Sequence, residues 1–391
     1  MSGLPKPNDF SRVIVTTMKD EGPYILDWVS YHFSIGFTHI IILTNDCSDG
    51  TDKICRHLEK LGVITHKNNK EPYPKGIQKT AYKRIEKLEA YEQAEWVMAL
   101  DVDEYLRIDI GNCHLDDVFK WTGNRPAAIS FMWQVFGNNQ ITQLEDRPVA
   151  AQFTKSTSTF QIAPYQTRGL KTIFRRDCFK RIGTHRPLEP NIEFMGNKLW
   201  IDANGVPLPQ MLEKPYWQAL NDGTGFGWVL GRVNHYALRS RTSFMLKMHR
   251  GFVNRTSGGI RGENSPSLYW RFFNWNVETN EKILPGIGRA NALKAELLMD
   301  KKLARLHQQA YDFHLEKANE LVQSKWWTEA DREINLIDLG LNFNAFDQKL
   351  MEYPILNWEL SPIRYEDIYK SSIFKTRIDN FKDYLHIDGE S

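Results

Sequence analysis

Cysteine is scarce: Cys47, Cys55, Cys113 and Cys178 are the only four in 391 residues, and none form a C-x-x-C pair. A disulfide framework and a cysteine-built zinc site are therefore not suggested. Few, unpatterned cysteines fit a reducing compartment. An excess of one charge is also missing. Fifty Lys and Arg stand against 48 Asp and Glu, a net charge of +2. Bulk electrostatics thus gives no support for a nucleic-acid or anionic-membrane protein. Residues 1–12 are polar and contain no apolar signal-peptide core. The longest early apolar run, Ile40 to Leu43, is far too short to cross a bilayer. The expectation is a cytoplasmic chain without a transmembrane segment. No internal repeat or low-complexity tract is visible. The triplet Asn254-Arg-Thr256 fits a glycosylation acceptor, a pattern common enough by chance to carry no weight.

What is present is an ordinary globular balance: 41% apolar and 25% charged residues, enough for one large domain with additions or for two. Aromatic residues make up 12%, with 12 tryptophans, many between Trp121 and Trp275. Such rings stack on sugars and bases, and equally they fill cores. The stretch that stands out is Glu95-Trp-Val-Met-Ala-Leu-Asp-Val-Asp-Glu-Tyr105. Its apolar run, Trp96 to Leu100, reads as a buried strand that ends abruptly in Asp101, Asp103 and Glu104. Alternation would send Asp101 and Asp103 to one side of the strand end. Two aligned carboxylates repel unless a cation lies between them or one is protonated. Oxygen ligands suit Mn²⁺ or Mg²⁺. The plainer reading is a solvated acidic turn.

The preceding residues alternate strand and helix. Arg12–Thr17, His39–Leu43 and Val63–His66 read as strands. Tyr24–Ile35, Asp52–Lys60 and Gln78–Gln93 read as helices. The order β-α-β-α-β-α-β argues for a doubly wound, mostly parallel sheet. The loops at 18–22 and 44–51 then share an edge with Asp101 and Asp103, where open α/β sheets bind ligands. Glu21 and Asp46 could accept hydrogen bonds from a nucleoside there. Alternatively, Asp46, Ser48 and Asp49 only build an Asx turn and cap the next helix. Further strands are expected at Ala127–Phe136, Val149–Thr154 and Lys171–Arg176. Lys171 either meets a diphosphate or is a solvated residue of an edge strand. Residues 188–230 are irregular, an acceptor cradle or a variable insertion.

The series V-I-V-T-T-M-K-D-E-G, N-D-C-S-D-G-T and W-V-M-A-L-D-V-D-E-Y resembles the nucleotide-sugar half of family-two-like, GT-A-fold glycosyltransferases. More narrowly, it resembles a bacterial subgroup with a D-x-D-E-[FY] strand end. The resemblance spans about 12–255 and implies a GT-A-like domain at 1–255. Its nucleotide-sugar half would cover about 12–110 and its acceptor half about 111–255. A linker or lid would follow at 256–290 and a helical C-terminal region at 291–391. By the same resemblance, Asp46 touches the nucleoside, and Asp101 and Asp103 serve nucleotide and metal. The loop N-D-C-S-D-G-T is one residue shorter than the usual D-D-x-S-x-D-G-T. Trp133 and Phe136-Gly137 match part of a W-x-x-F-G-x-x-G element, with Gln140 in place of its last glycine. Arg232-Val-Asn-His-Tyr-Ala-Leu-Arg-Ser240 and Phe244-Met-Leu-Lys-Met-His-Arg-Gly251 resemble the closing element. There His235 would complete the metal shell, and Lys247 and Arg250 would face phosphate from one side of a helix.

The implied reaction is metal-dependent, inverting transfer of a sugar from a nucleotide-diphosphate sugar to a hydroxyl acceptor. The acceptor would be a glycan or lipid-linked molecule of surface glycan assembly, a setting compatible with peripheral contact at the inner face of the membrane. Inverting chemistry asks for a carboxylate base. Glu193, Asp222 and Glu104 are candidates, and spacing decides among none of them; for Glu104 a backbone-bonding role is the simpler one. A nucleotidyltransferase and a non-catalytic nucleotide- or sugar-binding protein compete with this reading. The first loop, Met18-Lys-Asp-Glu-Gly22, is too acidic to grip a triphosphate. Oligomeric state is not legible.

Overall fold

The computed structural model describes residues 3–159, 165–214, 216–220, 223–251 and 266–338. Arg12–Met18 (β1), His39–Thr44 (β2), Thr65–Asn68 (β3) and Trp96–Ala99 (β4) are strands. They are joined through Ile25–Ser34 (α1), Thr51–Lys60 (α2) and Ile77–Ile85 (α3). β1 pairs in parallel with both β2 and β4, and β3 lies outside β2. Glu104–Ile108 (β5), Leu115–Thr122 (α4), Pro126–Val135 (β6), Leu170–Arg175 (β7), Leu199–Asp202 (β8) and Gly231–His235 (β9) follow. Across the sheet the order is β3-β2-β1-β4-β7-β6-β9-β5, with β8 beside the first half of β6. β7 is antiparallel to β4 and β6, and β5 is antiparallel to β9; the other pairs are parallel. The expected α/β class with a mostly parallel sheet is what the chain forms.

The sheet is buried on both faces, and alternation divides its residues between two cores. Ile14, Ile40, Ile42, Trp96 and Met98 enter one core, with α1, α2 and the C-terminal helices. Val13, Val15, Ile41, Leu43, Val97 and Ala99 enter the other, with Ala81, Tyr82 and Ile85 of α3. The remaining helices are Arg241–Arg250 (α5), Pro266–Phe273 (α6), Leu284–Leu298 (α7), Lys301–Leu321 (α8) and Lys325–Asp338 (α9). Leu293, Leu297, Leu303, Ala310 and Ile334 belong to the first core. The C-terminal helices therefore share the interior of the sheet domain. Among the described residues no helix is long and apolar enough to cross a membrane.

Several elements differ from expectation, each for a local reason. β3 starts two residues late because Val63 N–H donates to Leu58 O and closes α2. The helix expected over 78–93 breaks at Leu88, which is extended, before a short turn at Glu89–Glu92. Val149–Gln152 is a helical turn, not a strand; Val149 N–H donates to Asp27 Oδ2 at 3.1 Å, which aims its backbone at α1. Within the helical region expected from 291, α7 and α8 are separated at Asp300, whose side chain caps α8 through Leu303 N–H at 2.8 Å. β5 was not expected. The part of the expected helical C-terminal region beyond 338 lies outside the described residues.

His32 shows what burial imposes. Its Nδ1 is 2.9 Å from Trp28 O, and Leu106 N–H points at its Nε2. Only the neutral ring, protonated at Nδ1, satisfies both neighbours. Burial pushes its pKa down to about 3. Burial lowers His39 and His66 in the same way, each to about 4. Between about 3 and the ordinary 6.5 the unfolded chain binds the extra proton and the folded chain does not. Stability therefore rises with pH across that window and is lost as pH falls through it. Urea unfolding from pH 7 to 4 should show stability falling, with His32 contributing about 1.4 kcal/mol per pH unit. His32→Gln should make that slope shallower by one proton's worth; an unchanged slope would assign the effect to the other histidines.

Candidate functional site

β4 ends at Ala99, so Asp101 and Asp103 sit in a turn, and Glu104 opens β5. Glu104 N–H donates to Asp101 O at 3.0 Å, and Asp101 N–H donates to Glu104 Oε2 at 2.8 Å. The turn is fastened from outside by Tyr236 N–H to Asp103 O and by Arg239 to Val102 O. Strand alternation stops before Asp101, and the two aspartates turn to different partners. Asp101 Oδ2 meets Lys171 Nζ at 3.0 Å, and its Oδ1 accepts from Gln78 Nε2 at 3.3 Å. Asp103 Oδ2 meets Lys247 Nζ at 2.7 Å, while its Oδ1 lies 3.8 Å from His235 Nε2.

These pairs follow from the topology. β7 lies between β4 and β6, so Lys171 is fully buried and not on an edge strand. It also meets Glu104 Oε2 at 2.9 Å and donates to Thr184 O. Burial raises the Glu104 carboxyl, against the pull of Lys171. Burial would raise Asp103 too, but Lys247, His235 and Arg239 hold it below the usual carboxylate range. Burial lowers His235 to about 4, so its ring is neutral at physiological pH. Among the described residues its buried Nδ1 has no hydrogen-bond partner, and neither has Trp133 Nε1.

The donor types suit a divalent ion, but their arrangement does not. Asp101 shares Lys171 with Glu104, and Asp103 pairs with Lys247. Among the described residues no three His, Cys, Asp or Glu side chains converge to hold a metal. Asp101, Asp103 and His235, the expected ligands, are thus not gathered into a ready cage.

In the loop expected to meet a nucleoside, Asp46 is exposed and held at φ +47°, a left-handed conformation that the short Asn45-Asp46 turn imposes. Neighbouring Asn45 Oδ1 is buried and has no partner among the described residues. Glu21, by contrast, is buried, and its two oxygens are taken by Arg239 at 2.8 Å and by Arg250. Arg250 also donates to Lys19 O and Asp20 O. Burial opposes the charge of Glu21, but Arg250 and Arg239 lower its pKa overall. Glu21 and Arg250 thus answer each other and fix the first loop.

On the opposite flank, rings converge on Trp133. His235 lies 4.4 Å from it, His185 5.6 Å and Trp217 6.3 Å, with Phe273 5.5 Å from His235. A Cβ at Gly169 would come within 2.2 Å of the Trp133 ring, so only glycine permits this approach. Glu193 is exposed on a short turn packed against 176–178, beyond the far end of β7 and hence at the opposite sheet edge. Asp222 lies outside the described residues. Gln78 and Arg239 were not picked out as site residues. Gln78 carries no motif, and Arg239 was visible only as part of the closing pattern.

A family model described as glycosyltransferase family 92 matches residues 15–192, a little under half of the chain. A glycosyltransferase family 92 protein of Ricinus communis is 27% identical over 157 residues, 39% of this chain and 27% of that protein. One of Oryza sativa subsp. japonica is 24% identical over 146 residues, 37% of this chain and 24% of that protein. The matched stretches span about a quarter of these curated relatives. Among solved structures, S. aureus TarS 1-349 in complex with UDP shares 13% identity over 80% of this chain and 91% of that one, with a TM-score of 0.31. The matching family is 92; the expected likeness was to family-two-like enzymes.

Lys171→Met should destabilise the fold by about 3–5 kcal/mol, because it leaves buried carboxylates without their cation. Adding Glu104→Gln should recover part of that loss in denaturant unfolding. No recovery would mean that Glu104 does not depend on Lys171.

Proposed function

We propose that this chain transfers a sugar from a nucleoside-diphosphate sugar to a hydroxyl acceptor. The observation that carries the reading is a row of groups along one sheet edge. Asp46 offers an open carboxylate at one end, the lysine-paired Asp101 and Asp103 lie in the middle, and rings gather around Trp133 at the other end. A sugar nucleotide has the same succession: a polar nucleoside, an anionic diphosphate and a sugar with an apolar ring face. The match of 15–192 to a glycosyltransferase family model supports the reading and includes Asp46, Asp101, Asp103 and Lys171.

In this proposal Asp46 accepts hydrogen bonds from ribose or base. The acceptor hydroxyl attacks the anomeric carbon and gives its proton to water, while the carbon–oxygen bond to phosphate breaks and its electron pair leaves with the diphosphate. Lys171 and Lys247, cations in a low-dielectric site, are the groups that offset the charge developing there. Trp217, the partly exposed ring beside the buried Trp133, offers a ring face to a sugar. Glu104 is bonded behind the turn and Glu193 lies at the far edge, so neither is assigned as base. The inverting course, and an acceptor from surface glycan assembly, are inferred from the sequence resemblance. No step runs through a metal ion.

Calorimetric titration with UDP-, GDP- and dTDP-sugars, with and without Mn²⁺, tests the reading. One nucleotide class should bind, and Asp46→Asn should weaken it by about tenfold. Lys247→Met, once shown to be folded, should lower kcat by roughly 10²–10³. The product should be the nucleoside diphosphate; release of pyrophosphate would favour nucleotidyl transfer. A folded protein that binds none of the three would overturn the proposal. Binding only with Mn²⁺ would mean that Asp101 and Asp103 leave their lysines for the ion, and would replace the electrostatic assignment.

A further inference from the structure

Three imidazole–carboxylate pairs fasten α8 to the sheet domain, and they are spaced by seven residues. Its capping Asp300 meets His57 of α2 at 2.9 Å, His307 meets Asp146 at 3.0 Å, and His314 meets Asp49 at 2.9 Å. A seven-residue step keeps the three on one helix face, together with buried Leu303, Ala310 and Ala318. The last pair reaches the loop at 44–51. Asp49 Oδ2 accepts from both His314 and Gly22 N–H at 2.8 Å, and its Oδ1 accepts from Thr51 N–H at 2.8 Å. Thr51 Oγ1 in turn accepts from Glu21 N–H at 2.8 Å. Asp20, at the other end of the first loop, binds Ser48 N–H and Asp49 N–H. Contact is equally close at Gly22, where a Cβ would lie 2.5 Å from the Cβ of Ala310. The two loops and the helix form one hydrogen-bonded block, with Asp49 shared by all three.

We infer that His314 is a positioning residue of the nucleotide site: α8 sets the shape of loops 18–22 and 44–51 from behind, through Asp49. This rests on the reading that those loops take a nucleoside diphosphate. The helix lies wholly outside the stretch that the family model matches. The site would then require a segment well beyond that stretch.

Hydrogen exchange and calorimetric titration with UDP, GDP and dTDP, on the full chain and its His314→Ala, His314→Gln and His307→Ala variants, test this. His314→Ala should speed exchange at 19–22 and 46–51 and weaken the bound nucleotide roughly tenfold, the scale of one hydrogen bond to a charged group. KM for the donor should rise and kcat should hold. His314→Gln, which restores a donor, should return affinity to within about threefold of wild type. His307→Ala breaks the pair at Asp146 and should lower thermal stability without changing affinity, which a merely structural role for His314 would not distinguish. Unchanged loop exchange in His314→Ala, or faster exchange with unchanged affinity, overturns the inference. A wild type that binds none of the three nucleotides overturns the preceding reading and this one with it. That failure is recognisable because it appears in the wild type and not only in the variant.

Discussion

A carboxylate moved out of water must find a cation or take up a proton, and the turn at Asp101–Glu104 gathers three carboxylates at the end of a buried strand. Lys171 and Lys247 answer that demand, one from a strand inserted antiparallel in the sheet, the other from α5. The placement of β7 follows the same logic. From the start of a strand directly beside β4, Lys171 reaches both Asp101 and Glu104, so the strand order and the charge pairing support each other.

The N-terminal half of the fold was plain in the sequence. β1, β2 and β4 are continuous apolar runs bounded by turn formers, and the signals that define them are local. β5 and the central place of β7 were not plain, because a five-residue strand is defined by its partner, and the partner of β5 begins more than a hundred residues later. Val149–Gln152 was misread for a related reason: a short apolar run has no period of its own, and a single bond to Asp27 decided its conformation.

For the candidate site, residue types were legible and pairings were not. The acidic loops and the late Lys-x-x-Arg helix pointed to one edge, and the fold brings them there. Sequence spacing could not say that Glu21 would be taken up by Arg239 and Arg250, or that Lys247 would belong to Asp103. Nor could it say that β4 would stop one residue short of the leucine before Asp101, which ends alternation and separates the two aspartates. Burial adds a further property that composition does not carry: His185 and His235 beside Trp133 are held neutral by their dry surroundings.

The same pairings order events in time as well as in space. A ribosome delivers Asp101 70 residues before Lys171, Asp103 144 residues before Lys247, and Asp49 265 residues before His314. Chains that acquire structure during synthesis do so from the N-terminus. The apolar strands of the first half can associate early, but the carboxylates at their ends stay hydrated until much later segments emerge. The polar turn at the sheet edge thus stays open to solvent through much of synthesis, and because the first core also takes Leu293, Leu303 and Ile334, the interior too closes only when the C-terminal helices arrive.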